Sequence, residues 1–339
     1  MRFSLFTTLT FLGFSHARSY NGINDDWSFN VNLGQQADWM ASIADDVPLS
    51  SLSIPGTHNS MTYDLKSSLL QTQDVTLADQ LIGGIRYIDV TCRQDDGYMV
   101  VFHGLSDTGH LFSVALGTIY NFLDDHPRET IILRIQRGGL LDNSQNFFKG
   151  MEKFFVRGTT LGNDASRFIY SPSNDRTAAL PTMGKLRGKV LILQDFKSSP
   201  PGRYGLPWNS DTVSNYNHKL APGPFFIGAK WAGVKSNLNR TPSPGSNKLR
   251  ITHTTASVGV SPINIAARNS PDYGMNRHLG EYLRNHDGYC HGIVVMDFPG
   301  QALVKQIVDL NDKHRTPKPS ILSVDGPDTP TNDKTTTAP

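Results

Sequence analysis

The chain has 339 residues, 38% of them apolar, with 32 Lys and Arg against 30 Asp and Glu. A formal charge of +2, without any long basic run, argues against a dedicated nucleic-acid binder. The length allows one large α/β barrel or two ordinary domains, with enough apolar residues for a sizeable core.

At the N-terminus, Arg2 precedes an apolar run from Phe3 to Phe14, followed by Ser15-His16-Ala17. A charged start, a short apolar run and a small-x-small site predict a secretory signal peptide over residues 1–17, cleaved after Ala17. A buried N-terminal strand is the alternative reading, and the run is too short to span a bilayer. Residues 18–37 are polar and mixed and read as a lead-in. The folded unit is expected over 38–315. The Pro-, Thr-, Asp- and Lys-rich stretch 316–339 reads as a disordered tail, without the apolar segment that a C-terminal lipid anchor needs. The expected location is therefore extracellular.

Between those ends, short apolar runs predict strands at Leu52–Ile54, Ile85–Val90, Tyr98–Phe102, Thr130–Ile135, Val190–Leu193, Thr212–Tyr216, Leu249–Thr254 and Ile293–Met296. Helical spacing predicts helices over Ser113–Leu123, Phe147–Phe155 and Ala302–Leu310. Eight strands with mostly helical connectors predict an α/β fold, a TIM-like (β/α)8 barrel. The uneven connectors leave room for a distorted or incompletely closed barrel. Cys92 follows one predicted strand and Cys290 precedes another, so the two fall at opposite barrel ends and are expected to be unpaired thiols. Asn239-Arg240-Thr241 is a glycosylation sequon in a secreted chain.

Barrel chemistry sits at the C-terminal ends of the strands. His58 follows the first strand in Ser53-Ile54-Pro55-Gly56-Thr57-His58, where Pro and Gly end the run. His103 ends the run Met99-Val100-Val101-Phe102. Two histidines at neighbouring strand ends can serve as general base and general acid on one substrate. Either one alone would also suit an ordinary hydrogen-bonded strand end. Asp297 ends the last strand, next to the first in a closed barrel, where a carboxylate can orient His58. Asp89 ends the second strand and suits a proton network or a cation site. Trp208, Phe225, Phe226 and Trp231 lie in a long connector and could touch lipid; the alternative is packing between barrel and helices, and Trp208 fits that alternative least.

Several segments then resemble the bacterial-type phosphatidylinositol-specific phospholipase C catalytic region. They are Trp39-Met40, Val47-Pro48-Leu49 and the Ser-Ile-Pro-Gly-Thr-His stretch, then Gly84-Ile85-Arg86-Tyr87-Ile88-Asp89 and Val101-Phe102-His103-Gly104. Phe122-Leu123 with His126-Pro127 and Glu129-Thr130-Ile131-Ile132 continues the pattern, as do Arg187-Gly188-Lys189-Val190 and Val295-Met296-Asp297-Phe298. The resemblance runs from about Asp38 to Asn311. It implies a phosphoric diester hydrolase or lyase that cleaves a phosphatidylinositol-type lipid, or a glycolipid built on one, through a cyclic phosphodiester. His58 would be the base, His103 the acid and Asp297 the partner of His58, with no cofactor.

Departures from that pattern fall in the site. Asn59 stands where the family has Asp, and Thr91 stands where an Arg would face the phosphate. Arg93 is the candidate replacement. Asn59 and Asp89 could instead hold a calcium ion, the alternative being a calcium-dependent lipid phosphodiesterase with another head group. In the head-group pocket, Gln136 and Asp195 replace basic residues. Ser214 replaces an acid, Tyr216 keeps an aromatic, and Asn269-Ser270-Pro271-Asp272-Tyr273 resembles a rim loop. Asn59, Gln136, Trp208, Tyr216 and Tyr273 are thus the expected substrate contacts. The expected partner is a membrane phospholipid or glycolipid, with no nucleic acid and no obligate protein. A catalytically inactive lipid-binding module is the remaining alternative.

Overall fold

The computed structural model describes residues 27–139, 144–171, 180–217, 227–240, 246–256, 259–268, 273–286 and 289–316. The predicted signal peptide and nearly all of the predicted tail, together with Phe225, Phe226 and the stretch 269–272, lie outside the described residues. Among the described residues, no helix is long and apolar enough to cross a membrane.

The strands are β1 (Ser53–Thr57), β2 (Tyr87–Asp95), β3 (Tyr98–His103), β4 (Ser106–Leu111), β5 (Thr130–Arg137), β6 (Lys189–Asp195), β7 (Leu206–Pro207), β8 (Val213–Tyr216), β9 (Leu249–His253) and β10 (Gly292–Met296). Eight of them form the path β7-β6-β5-β2-β1-β10-β9-β8, with every neighbour parallel. Among the described residues β7 and β8 do not pair with each other, so the barrel is open along one seam. The predicted incompletely closed α/β barrel is what forms.

One predicted barrel strand is reassigned. Tyr98–His103 is the returning arm of an antiparallel hairpin on the far half of β2, with Thr91 opposite Phe102 and Asp95 opposite Tyr98. The cause is the two-residue turn Asp96-Gly97, with φ of 41° and 83°. Asp-Gly with both φ values positive is the turn whose twist matches paired antiparallel strands. β4 extends the hairpin, and the eighth barrel place falls to the two residues of β7.

Helices cover the outer face. They include α1 (Leu77–Ile82), α2 (Phe112–Asp125), α3 (Ser144–Phe155), α4 (Thr160–Phe168), α5 (Met183–Leu186), α6 (Ile227–Leu238), α7 (Pro262–Ala266), α8 (Met275–Leu283) and α9 (Gln301–Asp309). α2 sets Ala115, Leu116, Ile119, Phe122 and Leu123 on one buried face. Trp231 stacks on His278 between α6 and α8, in keeping with the packing alternative. Cys92 and Cys290 are both free.

The N-terminal end of the barrel is closed by a buried ion pair. Arg86, just before β2, donates Nε to Glu129 Oε2 at 2.8 Å, and both side chains are fully buried. Its other nitrogens donate to the carbonyls of Leu81, Ile85, Gln36 and Ala37. Higher up, Gly56 lets β1 approach Tyr87, because a Cβ there would lie 2.7 Å from the Tyr87 ring. That contact seats the first strand directly below His58.

Candidate active site

His58 leaves β1 with its N–H donated to Met296 O, which extends the β1–β10 ladder by one residue. The chain then turns sharply at Asn59, whose φ of 42° lies in a region that Asn tolerates better than most residues. Thr72 Oγ1 and Gln73 Nε2 both donate to His58 O, so the backbone is fixed from two sides. Asp297, the residue after β10, accepts His58 Nδ1–H at 2.9 Å on Oδ1 and the Ala256 N–H at 2.9 Å on Oδ2. Asn59 Nδ2 donates to His58 Nε2 at 2.9 Å. Neutral His58 is therefore the tautomer with its lone pair on Nε2, as a proton acceptor requires. Burial opposes the charged form, but Asp297, by charge and hydrogen bond, and Asp89 outweigh it and raise the His58 pKa above the ordinary imidazole value.

The hairpin delivers the second imidazole. His103, the last residue of β3, donates Nδ1–H to Leu70 O at 2.6 Å, and its ring lies 5.8 Å from that of His58 at 77°. Burial, followed by the neighbouring His58 charge, lowers its pKa. His103 thus arrives on the hairpin over β2, rather than on a barrel strand beside β1.

Asp89 and Arg134 form the floor. Both point into the barrel from paired positions of β2 and β5. Arg134 Nη1 lies 3.3 and 3.4 Å from the two Asp89 oxygens, and Nη2 donates to Asp195 Oδ2 at 2.6 Å. The guanidinium lies 4.0 Å from the centre of the Trp208 ring. Burial opposes its charge, yet the two carboxylates raise its pKa above the ordinary value. Sequence reasoning passed over Arg134 because it sits inside an apolar run. The signal was available, since one Arg among buried residues must face partners. Asp195 and Trp208 both contact this guanidinium.

A cavity of about 610 Å³ opens above these groups, lined by His58, Asn59, Asp89, Arg93, His103, Arg134, Gln136, Asn217 and His253 among others. Arg93 rests on the Phe102 ring at 4.4 Å and donates Nη2 to Gly104 O at 2.6 Å, which places its charge beside His103. Thr91 Oγ1 donates to Gln136 Oε1 at 3.3 Å. Asn59, Asp89, Arg93 and Gln136 are thus brought to one cavity with the two histidines. Lys230 is buried on α6 in range of the Asp297 charge. Burial pushes its pKa down to about 8, against that carboxylate.

Three expected substrate contacts are placed elsewhere. Tyr216 pairs with Thr252, whose hydroxyl accepts from Asn237 of the outer helix α6, so Tyr216 faces the helix layer. Its neighbour Asn217 takes the place in the cavity wall. Trp208 is buried beneath Arg134 and does not line the cavity. Tyr273 is 42% exposed, with the Arg277 guanidinium 3.5 Å from its ring centre, and is not among the lining residues. The period of two along a strand decides the first of these, and a one-residue error in reading it reverses the face.

Comparison with known proteins follows the same lines. The family described as phosphatidylinositol-specific phospholipase C, X domain, matches residues 46–195. The 1-phosphatidylinositol phosphodiesterase of Listeria monocytogenes is 30% identical over 315 residues, covering 87% of this chain and 90% of that protein. PI-PLC X domain-containing protein 1 of Arthroderma benhamiae is 39% identical over 175 residues, about half of either chain (49% and 52%). The solved phosphatidylinositol-specific phospholipase C from Listeria monocytogenes superposes with a TM-score of 0.66 at 25% identity, over 82% of this chain and 99% of that one. By barrel and by likeness along most of its length, the chain belongs to the phosphatidylinositol-specific phospholipase C family.

Proposed function

We propose that the protein cleaves the phosphodiester of a phosphatidylinositol-type lipid between phosphorus and the diacylglycerol oxygen. The observation that carries this reading is the pair of imidazoles facing one cavity, one of them oriented by a buried carboxylate. His58 Nε2 takes the proton of the inositol 2-hydroxyl. That oxygen bonds to phosphorus, the bond from phosphorus to the diacylglycerol oxygen breaks, and His103 Nε2 protonates the departing oxygen. The product is a cyclic phosphodiester, and water opens it by the reverse proton transfers. Positioning and proton transfer account for this chemistry without a covalent enzyme intermediate. Arg93, beside His103, supplies positive charge near the phosphate in place of the residue that Thr91 replaces.

The same reading makes the reaction independent of metal. The oxygens that calcium would need at Asp89 face Arg134, and the Asn59 amide is turned to His58. A hard cation at Asp89 would have to displace the Arg134 guanidinium to gain its ligand. Phosphorus NMR of the protein with phosphatidylinositol micelles tests the proposal. A cyclic inositol phosphate signal is expected, of equal intensity with and without chelator. A signal that requires calcium would move Asn59 and Asp89 into a metal site, and no signal in either condition would refute the substrate.

The mouth of the cavity supports a lipid surface as the place of action. Leu69 and Leu105 both line it, and they are 57% and 87% exposed. Burying a leucine in an acyl layer contributes about 1.5–3 kcal/mol. The double variant Leu69→Ser, Leu105→Ser is expected to lose at least about tenfold in turnover of phosphatidylinositol vesicles. That loss should exceed any loss on a water-soluble cyclic phosphodiester. Equal losses on the two substrates would remove the leucines from membrane contact.

A further inference from the structure

We propose that His253 is a third catalytic imidazole, which donates a hydrogen bond to a non-bridging oxygen of the phosphodiester and so presents phosphorus to His58 and His103. The inference rests on the two-imidazole reaction above. Three features of the fold lead to it.

The first is direction. His253 ends β9 in register with Val295, while its neighbour Thr252 faces α6. Alternation therefore turns His253 into the barrel. It is 1% exposed and lines the cavity, so the little surface it shows belongs to the substrate's space.

The second is its relation to the other imidazoles. The His253 ring lies 6.2 Å from that of His58, edge-on at 86°, and His103 lies 5.8 Å from His58 at 77°. In the strand order, His58 of β1 stands between them, with β10 and β9 on one side and the hairpin on β2 on the other. A phosphodiester seated against His58 and His103 therefore turns an oxygen towards β9. The segment is also held firmly. Thr254 donates N–H to Val295 O at 3.0 Å, and Ala256 N–H binds the same Asp297 carboxylate that orients His58.

The third is the distribution of donors. Negative charge on the non-bridging oxygens is what a phosphoryl-transfer site must hold, and a pre-aimed donor there acts strongly. Thr91 donates to Gln136, Arg134 is engaged by Asp89 and Asp195, and Arg93 lies on the His103 side. On the β9 side the His253 imidazole lines the cavity nearest His58, with Asn217 beyond it at the end of β8, and it can donate in its neutral as well as its charged form.

Separated phosphorothioate diastereomers of a phosphatidylinositol analogue test the proposal. Sulfur in the position His253 contacts weakens that hydrogen bond, so the wild-type enzyme should prefer one diastereomer. His253→Ala should lower kcat on the ordinary substrate about 100-fold and collapse the preference towards unity. His253→Gln, which keeps a donor, should recover part of both, and it decides the question if His253→Ala fails to fold. A change in kcat of less than about threefold would overturn the proposal. So would a larger loss with the diastereomer ratio unchanged, since that pattern belongs to a structural role. His58→Ala and His103→Ala are assayed alongside. Activity retained in either would refute the two-imidazole reaction, whereas the change in diastereomer ratio between wild type and His253→Ala reports on His253.

Discussion

His58→Ala and His103→Ala should each lower kcat by about 10²–10⁴-fold, the range that a positioned acid or base contributes. Circular dichroism and the unfolding midpoint should stay close to wild type, because both rings face the cavity and neither belongs to the packed core. The double variant should lose much less than the product of the single losses, since the two groups act as a unit in one displacement. Either single variant with near-full activity would remove that histidine from proton transfer. The pH profile carries a further signature. The productive form has one proton on the pair. His58, raised by Asp297, keeps its proton to higher pH, and His103, lowered by burial and by His58, takes one only at lower pH. The acid limb of kcat/KM should therefore fall below the ordinary imidazole value and the alkaline limb above it. Asp297→Asn removes the main cause that raises His58, so it should move the alkaline limb to lower pH. An unmoved limb would detach Asp297 from the titration of the site.

Arg86→Met should cost about 3–5 kcal/mol of folding stability, the penalty for leaving one member of a buried ion pair alone. Glu129 would remain buried without its guanidinium, and the carbonyls of Leu81, Ile85, Gln36 and Ala37 would lose their donor. Three separate segments, 36–37, 81–86 and Glu129, meet at this side chain, so the loss spreads over the N-terminal end of the barrel. Urea unfolding measures it as a fall in midpoint at constant slope. Adding Glu129→Leu should return part of the loss, because the second change removes the orphaned charge. A cost below about 1 kcal/mol for Arg86→Met would mean that the pair contributes no more than an exposed one. His58 and His103 sit at the opposite end, so kcat per folded molecule should be little changed.

Seven of the eight predicted strands correspond to barrel strands, because a strand covered on both faces leaves an unbroken apolar run. The exception shows the limit of that signal. Tyr98–Phe102 is equally apolar, and only the turn before it separates a hairpin arm from a barrel strand. Asp96-Gly97 carried that information. β7 left no trace in the sequence, since two residues ending in Pro207 have no periodicity. The positions of His103 and Asp297 were legible because each follows directly on an apolar run, and that of His58 because it follows the Pro-Gly break after one. The floor was not. Arg134 is recognisable only once Asp89 and Asp195 are known to flank it in space, and Asp195 reads as a loss of charge until Arg134 is seen beside it. Trp208 fits the same network, with its ring serving the guanidinium from below.

The open seam has a consequence for how the molecule breathes. In a sheet with two ends, amide exchange starts at the edges, where each residue is held by one neighbour instead of two. Here the edges are β7 and β8, one two residues long and the other four. β1 and β10, which carry His58 and Asp297, are flanked by strands on both sides and share five paired positions. Local opening at the seam can therefore proceed without disturbing the dyad. Proline at the end of β7 also withholds an N–H from any foreign strand that approaches that edge, so the gap is a poor template for association with another chain.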